Sequence, residues 1–239
     1  MTQTVLLVFA RGAGMVFRAP GFSHPSVPAV VRVGIALALA LAVAPQAAVV
    51  DIPDPAAFAL AIATETLLGA AIGTGASLLY DGAYYAGRTI DDYVGIRGSV
   101  PNANVTSAQA FGRLWSSVFL AGFFLLDGYV PVVRAFAGSF EHVAPGGLIA
   151  SSAWMRFGIA LPTTIVGAAL GIAAPALAAA LVIQVAFAAV ARVVPRLAGF
   201  SLAFPVVFAA AIVVTIAGIP LVAPASAHPW LVLPFGPAP

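Results

Sequence analysis

The sequence predicts an all-α, polytopic membrane protein of about six hydrophobic helices with proline-broken hairpins. Three observations lead there. Of the 239 residues, 62% are hydrophobic and only 8% are charged, against roughly 25% charged in soluble domains. The mean hydropathy is +1.08, more apolar side chain than a core of this size hides from water, so part of the solvent is lipid or partner protein. Prolines, 19 in all, punctuate the apolar runs, and a proline inside a helix removes a backbone donor and clashes with the preceding turn. The expected organisation is a single integral membrane domain over 1–239, helical over 1–219, with an irregular proline-rich tail over 220–239.

The first helix runs from about Gln3 to Phe17, with Arg11, Gly12 and Gly14 in its middle. It does not read as a signal peptide, because no positive charge precedes the apolar stretch Val5 to Ala10. Pro20, Pro25 and Pro28 mark a loop, and a second helix runs from near Val30 to just before Pro45. The acidic turn Asp51 to Pro55 leads into residues 55–98, the stretch around which the chain is organised. There Glu65 interrupts an otherwise uncharged run, Gly69 and Gly73 stand in GxxxG spacing, and Asp81, Arg88, Asp91, Asp92 and Arg97 cluster at the far end. A carboxylate at membrane depth, a glycine face and a charged end suit a helix that packs against other helices.

A polar loop, Ser99 to Gln109, precedes a fourth helix from about Phe111 to Leu126. Asp127-Gly128 is a turn signal, followed by an amphipathic stretch from Tyr129 to Phe140. From Phe157 to Ala191 no residue is charged for 35 positions, about 52 Å if helical throughout. A break or hairpin around Pro175 is expected. Arg192, Pro195 and Arg196 close the run, and a last helix covers about Phe200 to Ile219. With six spans, the connections near Arg18/Arg32, Arg88/Arg97/Arg113 and Arg192/Arg196 share one side and hold seven arginines. The positive-inside rule makes that side cytoplasmic.

Several kinds of chemistry are excluded. The basic residues are all arginine, so neither a Walker A loop nor a Schiff-base lysine exists. Without cysteine there are no disulfides, thiolate metal sites or cysteine nucleophile. The net charge of +2 comes with no basic–aromatic stripe, so no nucleic-acid partner is expected. His24, His142 and His228 lie far apart, without metal-ligand spacing, and no catalytic residue, metal or cofactor is expected.

Two readings stand for each remaining candidate. Glu65 is either functional at membrane depth or a hydrogen-bonded carboxyl at a helix contact. Asp81, Arg88, Asp91 and Asp92 either hold a metal or phosphate or form a charged helix end. Their spacing partly resembles the CDP-alcohol phosphotransferase motif, but the closing G-x3-D-x3-D is missing. Arg192 and Arg196 mark an interfacial boundary, or a cationic spot in a pore or partner interface.

A series of stretches, in order, resembles the FliR/SctT family, the export-gate membrane proteins of flagellar and virulence type III secretion systems. They are Arg11-Gly-Ala-Gly with Pro20, Val27-Pro28 and Val31-Arg32; Glu65-xxx-Gly69-xxx-Gly73 with Ala86-Gly87-xx-Ile90-Asp91-xxx-Gly95; Asp127-Gly128 with Ser139-Phe140 and Pro145; and Pro195, Phe200-Ser201 and Phe204-Pro205. The chain departs from the family pattern at Val207, where the late block usually carries lysine, and in residues 99–104, which lack an Asp-Pro pair. The resemblance implies a non-enzymatic subunit of a multi-pass assembly in the bacterial inner membrane. Its partners would be two other small export-apparatus membrane subunits, switch or gate subunits and unfolded export substrates. Glu65, Gly69, Gly73, Gly87, Arg88 and Asp91 would then hold helix contacts, and Arg192, Pro195, Arg196, Phe204 and Pro205 would face a pore or interface. The readings set against it are a small proton-coupled secondary transporter, for which broken helices and a midplane carboxylate speak, and a phosphotransferase built on the aspartates.

Overall fold

The computed structural model describes residues 2–94, 110–194, 203–222 and 232–235. Every regular element among them is helical: α1 (Thr2–Arg18), α2 (Ala29–Val43, followed by a 3-10 turn, Ala44–Gln46), α3 (Pro55–Val94), α4 (Ala110–Leu125), α5 (Tyr129–His142), α6 (Ser151–Val193) and α7 (Ala203–Val222). The expected polar loop before α4, and Pro195 and Arg196, lie outside the described residues. Among the described residues, three helices are long and apolar enough to cross a membrane, or four if the broken pair α4–α5 counts as one. The chain is an all-α membrane protein.

Local chemistry sets the ends of these helices. Asp54 caps α3, its carboxylate accepting the backbone N–H groups of Ala56 at 3.2 Å and Ala57 at 3.1 Å, and Pro55 takes the first helical position, where a missing N–H does no harm. At the end of α4, Asp127 adopts a φ of 54°, a left-handed conformation that aspartate tolerates better than most residues. The Gly128 N–H then donates to the Phe123 carbonyl at 2.7 Å. The extended segment before α3 is stitched to the start of α1: Gln3 exchanges two hydrogen bonds with the Ile52 backbone, and Thr4 Oγ1 accepts from the Val50 N–H.

The long run behaves differently from the expectation of a break at Pro175. α6 is one helix of 43 residues with Pro162 and Pro175 inside it. The residues four positions earlier are Gly158 and Gly171. A proline ring collides with the backbone of residue i−4, and glycine there lets the backbone shift without a side chain in the way.

The chain divides into two compact units. The first comprises Met1–Leu78, Gly122–Thr163 and Pro229–Pro239; the second comprises Leu79–Ala121 and Thr164–His228. In the first, α1, α2, α3 and α5 enclose Val8, Met15, Val16, Ala36, Ile72, Val132 and Phe136. In the second, the late part of α3 packs with α4, α6 and α7 around Ile90, Phe111, Trp115, Val207 and a set of alanines that includes Ala83, Ala86, Ala173, Ala176 and Ala211. Small side chains let helix backbones approach closely where lipid gives no hydrophobic drive to associate.

Candidate functional site: a buried ion pair and a capping carboxylate

The polar centre of the first unit joins α1 to α3. Arg11 and Glu65 are 1% and 0% exposed. The guanidinium meets the carboxylate side-on: Nε donates to Oε2 at 2.5 Å and Nη2 to Oε1 at 3.0 Å. Nη1 donates to Ser139 Oγ at 2.8 Å, and Nη2 also donates to the Val143 carbonyl at 3.1 Å. The Phe140 ring lies 4.0 Å from Arg11 Cζ, a cation–π contact. Glu65 Oε1 accepts a further bond from the Gly146 N–H at 2.8 Å, where Gly146 has a φ of +77°. The Ser139 hydroxyl donates to the Phe136 carbonyl oxygen at 2.7 Å. One ion pair thus fastens α1, α3, α5 and the loop after α5. Desolvating two charges is tolerable only when geometry is good and the groups find hydrogen-bond partners; here Arg11 donates four hydrogen bonds and both Glu65 oxygens accept.

The expected glycine face makes this pairing possible. A Cβ on Gly69 would lie 1.8 Å from the Arg11 carbonyl oxygen, and one on Gly73 would lie 2.6 Å from that of Met15. From the other side, a Cβ on Gly14 would lie 2.1 Å from the Thr66 carbonyl oxygen. Arg11 faces Gly69 and Met15 faces Gly73, so α1 and α3 run alongside in the same direction. Backbone meets backbone along this crossing, which sets Arg11 level with Glu65 one turn before Gly69.

In the second unit Asp91 is 1% exposed. Its two oxygens accept the N–H groups of Phe111 and Gly112, each at 3.0 Å. These amides open α4 and have no partner within their own helix. Asp91 therefore performs the service of an N-cap from 20 residues away. Gly87, one turn earlier, lies against the same place: a Cβ there would be 2.3 Å from the Phe111 carbonyl oxygen. Both Asp91 oxygens are engaged by backbone, while Asp92, about 100° further round the same helix, is exposed. Among the described residues no group of three or more His, Asp or Glu side chains is placed to hold a metal ion.

The remaining candidates fall elsewhere. Arg88 is half-buried on α3, and Arg192 is exposed near the end of α6. Phe204 and Pro205 lie in the first turn of α7, with Pro205 exposed. Arg11 as the partner of Glu65, and Ser139, Val143 and Gly146 as its support, were not anticipated as a site. The signal was there in part: Arg11 is the one charge between Thr2 and Phe17, and a lone arginine and a lone glutamate in two apolar helices invite pairing.

The described residues form an all-helical membrane fold in which Arg11, Glu65 and Asp91 join helices of the same chain. The chain belongs to the bacterial export proteins, family 1, whose model matches residues 2–230. It is similar to the flagellar biosynthetic protein FliR of Escherichia coli (strain K12), with 26% identity over 225 residues, covering 91% of this chain and 85% of that protein.

Proposed function

We propose that the chain is a non-enzymatic structural subunit of a type III export gate. It would sit multi-pass in the bacterial inner membrane and form part of the entry portal for unfolded protein substrates. The match of the export-protein family along residues 2–230 carries this reading, and the flagellar relative gives it its direction. Two physical features support it. The buried ionisable groups Arg11, Glu65 and Asp91 are all engaged by partners within the chain, which suits a scaffold better than a catalytic or ion-carrying site. α6 is also too long for lipid alone: its 43 residues span about 64 Å, whereas a 30 Å hydrocarbon layer crossed at a tilt of about 40° covers about 26 residues. Apolar side chains stay exposed along it from Met155 to Val193, and other hydrophobic subunits of the apparatus would cover what lipid does not.

In this reading Glu65, Gly69, Gly73, Gly87, Arg88 and Asp91 hold the subunit's helices for assembly. Arg192, Pro195, Arg196, Phe204 and Pro205 meet a partner or the conduit. The test is affinity purification of the tagged chain from its native membrane, paired with a secretion assay in a deletion strain. The expected result is co-purification with two other small hydrophobic membrane proteins and loss of export on deletion. Purification alone, with proton-coupled solute uptake or magnesium-dependent turnover of a CDP-linked lipid in liposomes, would overturn it.

A further inference from the structure

Residues Val232–Phe235 return to the first unit, although α7 before them belongs to the second. Gly75 of α3 is buried, and a Cβ on it would lie 1.9 Å from the Val232 carbonyl oxygen. Leu233 and Phe235 pack against the first core, and Pro234 between them is buried. The Phe235 ring lies over the His142 ring of α5, with centroids 5.5 Å apart.

The position of Gly75 on α3 gives this contact its meaning. α1 occupies Gly69 and Gly73, which lie on one helix face. Gly75 is two residues beyond Gly73, about 200° further round at 3.6 residues per turn. α3 is therefore approached at backbone distance from two different sides, by α1 on one and by an extended segment on the other. Each approach needs a glycine, because any side chain would occupy the space of the incoming carbonyl.

We propose that Val232–Phe235 is a clip that closes on α3 from the face away from α1, with Gly75 as the residue that admits it and His142 as the ring it rests on. Four residues bury far less than the α1–α3 crossing, so the clip opens at a lower free energy than the unit unfolds, as weakly packed segments do. Its opening bares the core surface beneath Leu233 and Phe235 while α1 and α3 stay joined. The inference does not depend on the export reading.

The chain contains no cysteine, so single introduced thiols report on the clip in the full-length protein. Maleimide labelling of Leu233→Cys should be at least tenfold slower than that of Asp51→Cys, whose site is exposed. Adding Gly75→Ala should raise the Leu233→Cys rate at least tenfold. Gly34→Ala, where a Cβ meets nothing within 4 Å, should leave it unchanged. Val8→Cys, fully buried, should stay protected with Gly75→Ala present. The clip is wrong if Leu233→Cys labels as fast as Asp51→Cys, or if Gly75→Ala leaves it protected. It is equally wrong if Gly75→Ala exposes Val8→Cys as well, since Gly75 then supports the whole core.

Discussion

Arg11 and Glu65, 54 residues apart in sequence, form a bidentate ion pair sealed from solvent on every side. Removing one partner strands the other. Glu65→Leu or Arg11→Leu alone should each lower stability by about 3–5 kcal/mol, while the double variant should recover much of that loss, because an apolar pair of similar volume is tolerated where a lone buried charge is not. Detergent-solubilised protein titrated with a denaturing detergent measures all three. Purely additive losses would show that the two side chains are not coupled.

The α1–α3 crossing should be intolerant of a single methyl group. Gly69→Ala places a carbon against the Arg11 carbonyl and should cost about 1–3 kcal/mol or more, as overpacking does. Gly34→Ala on α2, which meets open space, should instead raise stability by up to about 1 kcal/mol. Comparing the two thermal midpoints in one detergent decides the matter, since helix propensity alone favours both changes.

Asp91 should be worth more than its charge. Asp91→Ala leaves two amides without acceptors, and the loss expected is about 1–3 kcal/mol. Asp91→Asn keeps one carbonyl acceptor and should lose less. Hydrogen exchange at Phe111 and Gly112 is the direct readout: both amides should exchange faster in the alanine variant, and unchanged protection would remove the cap.

Thr215 offers a change in the other direction. Its hydroxyl is buried in the second unit and has no hydrogen-bond partner among the described residues. Thr215→Val keeps the shape and removes a desolvated polar group, so stability should rise by about 1 kcal/mol. A loss in the same denaturation assay would mean that the hydroxyl is satisfied by water.

Most helix positions were legible because the apolar runs and their turn signals are local. Asp54-Pro55 before α3 and Asp127-Gly128 after α4 mark ends by short-range chemistry, and the sequence states it directly. Glu65 stood out for the same reason, as the single charge in a long apolar stretch. Its partner did not, because periodicity reports neighbours three or four residues away and says nothing of a residue 54 positions earlier. Asp91 was noticed as an acid beside other acids. Its true partners are backbone amides of α4, which have no signature in side-chain pattern. Pro175 signals a break by its ring, but Gly171 one turn before it belongs to the same continuous helix. The segment around Val232 carries no period and gave no hint that it settles against Gly75.

The first unit is assembled from three separated stretches of chain, and this has a consequence for biogenesis. At about 5–20 residues per second, a ribosome needs about 3–11 s to pass from Arg11 to Glu65, and at that rate about 6–26 s to reach Ser139. Arg11 therefore emerges from the exit tunnel ahead of its counter-ion by the same interval. The insertion machinery, or lipid headgroups at the bilayer surface, must shelter it until translation delivers the carboxylate.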